Sequence, residues 1–329
     1  TSITPAINVL DSFNGGDSPI SVNFTDEKRY EYTNSTSWTK KAHLIKFGGR
    51  IRGVQQNDQN TSGYNGSFTF TNLNSYGITQ RGLANGLTIA QIIAQGGGAQ
   101  QFSLNSGQPQ VGIEQVDAGL FIQDDWRVKP NFSLSLGLRF ETQSNVSNKL
   151  NFAPRIGMAW GIGKPSGAGR APKTVLRAGA GIFYDRFSED LVLQSRRLNG
   201  IVQQQFIVTN PAFYPNFPTP AQLGQFQRSS TTRLIDSSLE IPYVFQTSLG
   251  LERALPKNIT AGVTYNHTTG INQLRSRNIN TPLIGTWSPT NQANAVYPFG
   301  AAAGNLYLYE STGRFQQNQL LININARIN

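Results

Sequence analysis

Between residues 132 and 140 an apolar side chain stands at every second position. Phe132, Leu134, Leu136, Leu138 and Phe140 alternate with Ser133, Ser135, Gly137 and Arg139. Successive side chains of a β-strand point to opposite faces of the sheet. As a strand, this stretch therefore carries one apolar face and one small or polar face. The apolar face must be covered by a second sheet, as in a soluble sandwich, or by lipid.

The same period returns along the chain. Tyr30, Tyr32 and Trp38 share one parity, and Ile45, Phe47 and Ile51 stand against Lys46, Arg50 and Arg52. Ile156, Met158, Trp160 and Ile162 alternate with Arg155, Gly157 and Gly161, and Leu176, Ala178, Ala180, Ile182 and Tyr184 with Arg177, Gly179, Gly181 and Asp185. Ile259, Ala261, Val263 and Tyr265 form a further set, and Ile322, Ile324, Ala326 and Ile328 close the chain. Short links join these runs at about residue 40, at 128–131, at 163–172 and at 255–258. Long polar links join them at 55–110, at about 143–151 (the shortest), at 188–239 and at 270–304. A sandwich has no reason to sort its long links to one end. A transmembrane barrel does, with short periplasmic turns and longer outer loops.

The expected fold is therefore all-β: an antiparallel up-and-down transmembrane β-barrel, present as an incomplete segment of about nine long strands. Residues 1–27 show no period and read as a lead-in loop, with 28–329 as the partial barrel. Its long outer loops are expected at about 55–110, 188–239 and 270–304. In the first of these, GSFTFTN reads as a minor strand and the stretch around Leu83 to Ala94 as a short helix that packs the loop.

Composition agrees. Charged residues are only 14% of the 329 and glycines number 33, which suits strands and turns better than long surface helices. No run approaches the ~20 apolar residues of a spanning helix; Leu87 to Ala94 is the best and is far too short. A strand barrel dilutes its hydropathy by alternation, so a mean hydropathy of −0.34 does not exclude it. The net charge of +10 comes from scattered Lys and Arg rather than a basic run, so nucleic acid is not an expected partner. Anionic lipid, polysaccharide or a basic lumen accounts for it at least as well.

No catalytic constellation is visible, and an enzyme is not expected. The chain has no Cys, and His43 and His267 lie far apart without an acidic loop, so no metal site is expected. GIGKPSGAGR departs from the phosphate-loop spacing and lies between two strands, with no helix N-terminus to offer. AGAGIFYD is a small-residue strand rather than a dinucleotide fingerprint, so no cofactor is expected. Asp124 and Asp125 are strand neighbours that point to opposite faces and cannot share a substrate.

Five stretches, in order, resemble the barrel of TonB-dependent outer-membrane transporters, especially the Oar-like group. They are HLIKFGGRIR (43–52), FIQDDWRVKPNFSLSLGLRFE (121–141), NFAPRIGMAW (151–160), TVLRAGAGIFYDRF (174–187) and LYLYESTGRFQQNQLLININARI (306–328). Each is degenerate alone; the ordered set covers roughly residues 28–329. The resemblance implies a bacterial outer-membrane location and a piece of a 22-stranded barrel with a plugged lumen. Nothing here matches the family's plug, its TonB-contacting segment or its C-terminal aromatic. Both ends look cut, and an internal piece of a longer protein is the expectation. The implied partners are outer-membrane lipid, a TonB-type energising complex met through regions absent from this chain, and a ligand that is an oligosaccharide, a peptide or a chelate.

Three sets of contact residues follow. Phe132, Leu134, Leu136, Leu138 and Phe140 are expected to face lipid. Tyr30, Trp38, Trp126, Phe140, Trp160, Tyr184, Tyr243 and Tyr265 cluster near strand ends, like interfacial girdles. Phe213, Tyr214, Phe217 and Phe226 share a loop stiffened by four prolines and suit sugar or peptide contact. Packing of that loop against its neighbours is the plainer reading. The leading function is ligand import; a surface-adhesion barrel and a soluble β-sandwich binding module are the alternatives.

Overall fold

A computed structural model describes residues 4–18, 22–163, 172–216, 218–223, 229–290 and 292–326. In chain order, β1 (Ala6–Val9) and β2 (Phe13–Gly16) form a short hairpin, followed by β3 (Asn23–Lys40) and β4 (His43–Asn60). Then come β5 (Ser67–Phe70), α1 (Leu73–Ala84), α2 (Ile89–Ala94) and β6 (Gln101–Gly107). Four strands follow: β7 (Gln110–Lys129), β8 (Phe132–Gln143), β9 (Asn151–Ile162) and β10 (Thr174–Tyr184). The next connection holds α3 (Glu189–Arg197), β11 (Gln203–Thr209), α4 (Pro220–Leu223) and β12 (Ser229–Ile235). The chain then returns to long strands with β13 (Tyr243–Leu255), β14 (Ile259–Asn278) and β15 (Asn305–Ala326).

Nine of these strands form one wall in the order β3-β4-β7-β8-β9-β10-β13-β14-β15. Every neighbouring pair is antiparallel and consecutive in the meander. The wall does not close: the outer edge of β3 pairs with no described strand. The remaining six strands make a smaller layer, β2-β1-β5-β6-β11-β12, joined to the wall where β12 runs parallel to β15 over five residue pairs.

The short turns have local causes. Lys40 pairs with His43 across a two-residue turn in which Lys41 adopts φ 54°. Lys129 pairs with Phe132 across Pro130–Asn131, where proline supplies the fixed φ. The Asn131 side chain donates to the Gly161 carbonyl at 2.8 Å and ties this turn to the next strand. Of the expected link 163–172, residues 164–171 lie outside the described residues.

The long connections are more ordered than their composition suggests. The stretch 1–27, expected as a loop, carries the β1–β2 hairpin and the start of β3. The single helix expected around Leu83 to Ala94 is two helices. Asn85 caps the first, Gly86 turns the chain at φ 71°, and Thr88 and Gln91 form a capping box that starts the second. Two apolar clusters hold the loop layer together. One joins Val9, Phe68, Phe70, Phe102, Phe206 and Tyr214; the other joins Val111, Ile113, Phe187, Val192, Leu193 and Leu239. No helix among the described residues is long and apolar enough to cross a membrane.

Candidate functional site

The wall register sorts side chains onto two faces. Leu136 of β8 lies opposite Asp124 of β7 and Ile156 of β9, and Leu138 lies opposite Ile122 and Pro154. Ile156 continues to Ala180, and Trp160 continues through Leu176, Leu251 and Val263 to Ile322. The alternating sets of all nine strands therefore merge into one continuous apolar face. No described residue covers it: Leu120 is 63% exposed, Ile122 54%, Ile156 51%, Leu249 53% and Ile322 69%. A soluble monomer rarely exposes a contiguous apolar patch above a few hundred Å². A sandwich would set a second sheet ~10 Å away across this face, and no described strand does so.

Aromatic residues frame the face. Trp38, Trp126 and Trp160 stand within three residues of the short turns or strand ends. At the opposite end, Phe140 packs on Phe152 and Tyr184 on Tyr243, each at 5.3 Å. Tyr265 instead occupies the middle of β14 and donates to Asn318 at 2.7 Å. A carboxylate also stands on this face. Asp124 pairs with His43 at 2.7 Å, and that ring stacks on Trp126 at 5.2 Å. Its neighbour Asp125 points to the other face, where it meets Lys46 and accepts from Ser135 at 2.7 Å.

The second face is polar, and the 185–242 connection folds back over it at the long-loop end. Arg52 is 5% exposed; its Nε donates to Asp117 at 2.7 Å and its guanidinium also meets Glu189 at the start of α3. Ser188 caps that helix, and Glu189 and Asp190 suit its positive N-terminal dipole. Arg197, at its last turn, pairs with Asp58 of β4. Gln143 fixes the entry to the helix by donating to the Phe187 carbonyl at 2.7 Å and accepting from its amide at 3.1 Å. A cleft of about 280 Å³ lies beside this cluster, with Arg50, Arg139 and Arg186 set among Asp117, Glu141 and Asp185. Beyond the aromatic frame, Arg275 and Arg277 share Glu310, which also accepts from Thr312. The hydrogen bond from Arg277 leads in holding this carboxyl down to about 2, against a burial that pushes it up.

The family model for the outer membrane beta barrel domain matches residues 1–149 and 144–329. The chain belongs to this family. This outer-membrane barrel is placed in the bacterial outer membrane, and its strands are the crossing elements. No curated protein matches it in sequence. Its fold is similar to that of the outer membrane transporter YddB from Escherichia coli, with a TM-score of 0.52 over 92% of this chain at 14% identity. It is equally similar to the siderophore receptor PirA from Acinetobacter baumannii, with a TM-score of 0.52 over 98% of this chain at 12% identity. The chain spans 30% of the first protein and 37% of the second.

Within the barrel wall, Phe132, Leu134, Leu136, Leu138 and Phe140 all sit on the uncovered apolar face, with Leu136 42% and Leu138 43% exposed. The loop aromatics are placed differently. Tyr214 is 5% exposed, meets the Phe68 and Phe70 rings edge-on, and accepts from Gln80 at 2.9 Å. Phe213 meets the Phe68 and Phe102 rings. Both thus hold the loop layer together. Phe217 and Phe226 lie outside the described residues. The Arg52–Asp117–Glu189 cluster is absent from the sequence-based expectations. Its signal was present as a charged polar-face residue on β4 and as the Ser-Glu-Asp start of α3.

Proposed function

We propose that this chain forms wall, lumen and outer loops of a transporter energised through a TonB-type complex, importing a ligand too large or too scarce for a porin. The observation that carries this reading is the ordered layer built by the long connections. A simple pore needs only a wall, whereas this chain invests two apolar clusters and a buried ion cluster in fixing structure at the long-loop end of its wall. Strands of up to 22 residues exceed the ~9–11 needed to cross a bilayer and carry that layer above it. The family-like stretches and the fold likeness to an outer membrane transporter and a siderophore receptor support the same reading. In it, Phe132, Leu134, Leu136, Leu138 and Phe140 touch lipid. The ligand meets the loop layer and the inner face, so Phe213 and Tyr214 act by shaping that layer.

Energised uptake tests it. Cells expressing the full-length protein are offered radiolabelled ferric siderophores, maltodextrins and short peptides, with and without TonB. Accumulation of one class, lost without TonB, is the expected result. No energised uptake of any class, together with gene-dependent attachment of cells to a surface, would favour the adhesion reading instead.

A further inference from the structure

The short-turn end of the wall gathers cations that have no carboxylate partner among the described residues. At the long-loop end Arg52, Arg197, Arg275 and Arg277 each have a carboxylate partner, and Lys149, Arg196 and Arg233 donate to carbonyl or hydroxyl oxygens. At the short-turn end Lys40, Lys41, Arg127, Lys129, Arg253 and Lys257 are all exposed. None of the six takes part in an ion pair among the described residues. The acids nearby are already engaged: Asp124 with His43, Asp125 with Lys46, and Glu252 with Arg177. Six cations without an ion pair thus lie together where the apolar face ends.

Its position is specific. Lys40 extends the outward row of Trp38 and sits 5.3 Å from that ring. Lys129 lies opposite Phe132, and Arg253 stands on the outward row between Leu251 and Leu255. Lys41 and Lys257 occupy turn tips. Long basic side chains beside interfacial tryptophans place their stems on apolar surface and their heads at the headgroup level. We infer that this rim is a collar for anionic phospholipid headgroups of the periplasmic leaflet. The phosphodiester and any further negative group of such a lipid supply the counter-charge that the protein itself lacks. Free phosphate would not be held in the same way, because these cations do not converge on a pocket.

The test uses the full-length protein reconstituted in phosphatidylcholine vesicles. The first lipid shell is read by electron spin resonance with spin-labelled phosphatidylglycerol or phosphatidylcholine. One cation near an anionic surface is worth roughly a fivefold change in affinity. The native protein is expected to prefer phosphatidylglycerol severalfold at low salt, and high salt should shrink that preference. The variant K40Q/K41Q/R127Q/K129Q/R253Q/K257Q should fall to near parity, while K40R/K41R/K129R/K257R keeps the preference. The salt response of the native protein stands even if the glutamine variant fails to assemble. Equal affinity of the native protein for both lipids would overturn the inference. So would an unchanged preference in the glutamine variant combined with lost sedimentation on isolated peptidoglycan, which would assign the collar to the cell wall.

Discussion

Replacing Leu136 by lysine is the sharpest probe of which surface this wall turns to lipid. Leu136 lies four residues from both Phe132 and Phe140 on one row. At ~3.4 Å per residue that is roughly 14 Å along the strand, or about 10 Å of depth at a tilt near 40°. The four-carbon stem of lysine cannot snorkel that far. Leu136 is 42% exposed on this face. With full burial of a leucine worth about 1.5–3 kcal/mol, its lipid contact contributes about 1 kcal/mol. The charge adds the rest of the ~2–4 kcal/mol expected for lysine near the midplane. The assay is reversible urea titration of the full-length protein folded into vesicles. Leu255→Lys, at a short turn, should cost at most about 1 kcal/mol. Gln246→Lys, on the opposite face, should stay within about 0.5 kcal/mol. Equal stability of the native protein and Leu136→Lys, or a larger loss for Gln246→Lys, would refute the assignment of faces.

Other outcomes follow from the loop layer. Arg52→Ala leaves Asp117 and Glu189 without their shared cation, and breaking such a buried pair costs about 3–5 kcal/mol; limited proteolysis should then cut faster within 185–242 while the wall stays intact. Tyr214→Phe removes only the hydrogen bond with Gln80 and should cost about 1 kcal/mol, whereas Tyr214→Ala opens a cavity and should cost about 3–5 kcal/mol, both read as loss of protease resistance in the loops. Glu310 has a folded-state value below its ordinary one, so its contribution is complete above pH 4.5 and is lost as pH falls towards about 2. Hydrogen-exchange protection of residues 305–312, taken relative to the intrinsic rate at each pH, should therefore fall between those limits in the native protein, and Glu310→Gln should remove that acid-dependent step.

The wall was legible because its signal is local. A strand with one apolar face must repeat every two residues, and Phe132 to Phe140 do so wherever their partners lie. The alternation of short and long connections carried the topology in the same way. The first part of β3 was not legible: Asn23, Phe24, Thr25, Asp26 and Glu27 show no alternation, and they are strand because they pair with the end of β4. The parallel pairing of β12 with β15 was equally hidden, since it joins residues about 70 apart and no local pattern marks it. The aromatics of the proline-rich loop illustrate a further limit. Phe213 and Tyr214 have the same composition whether they face a ligand or a core, and only the positions of Phe68, Phe70 and Phe102 show where they point.

Single nitroxide labels placed at each position from 132 to 141 of the full-length protein in vesicles test the central claim most directly. Collisions with oxygen, which concentrates in the bilayer, are compared with collisions with a polar nickel chelate. Labels at 132, 134, 136, 138 and 140 should favour oxygen, with the deepest value at 136, and the intervening labels should not. Low oxygen accessibility at the even positions, or no alternation, would show that protein rather than lipid covers this face and would contradict the account.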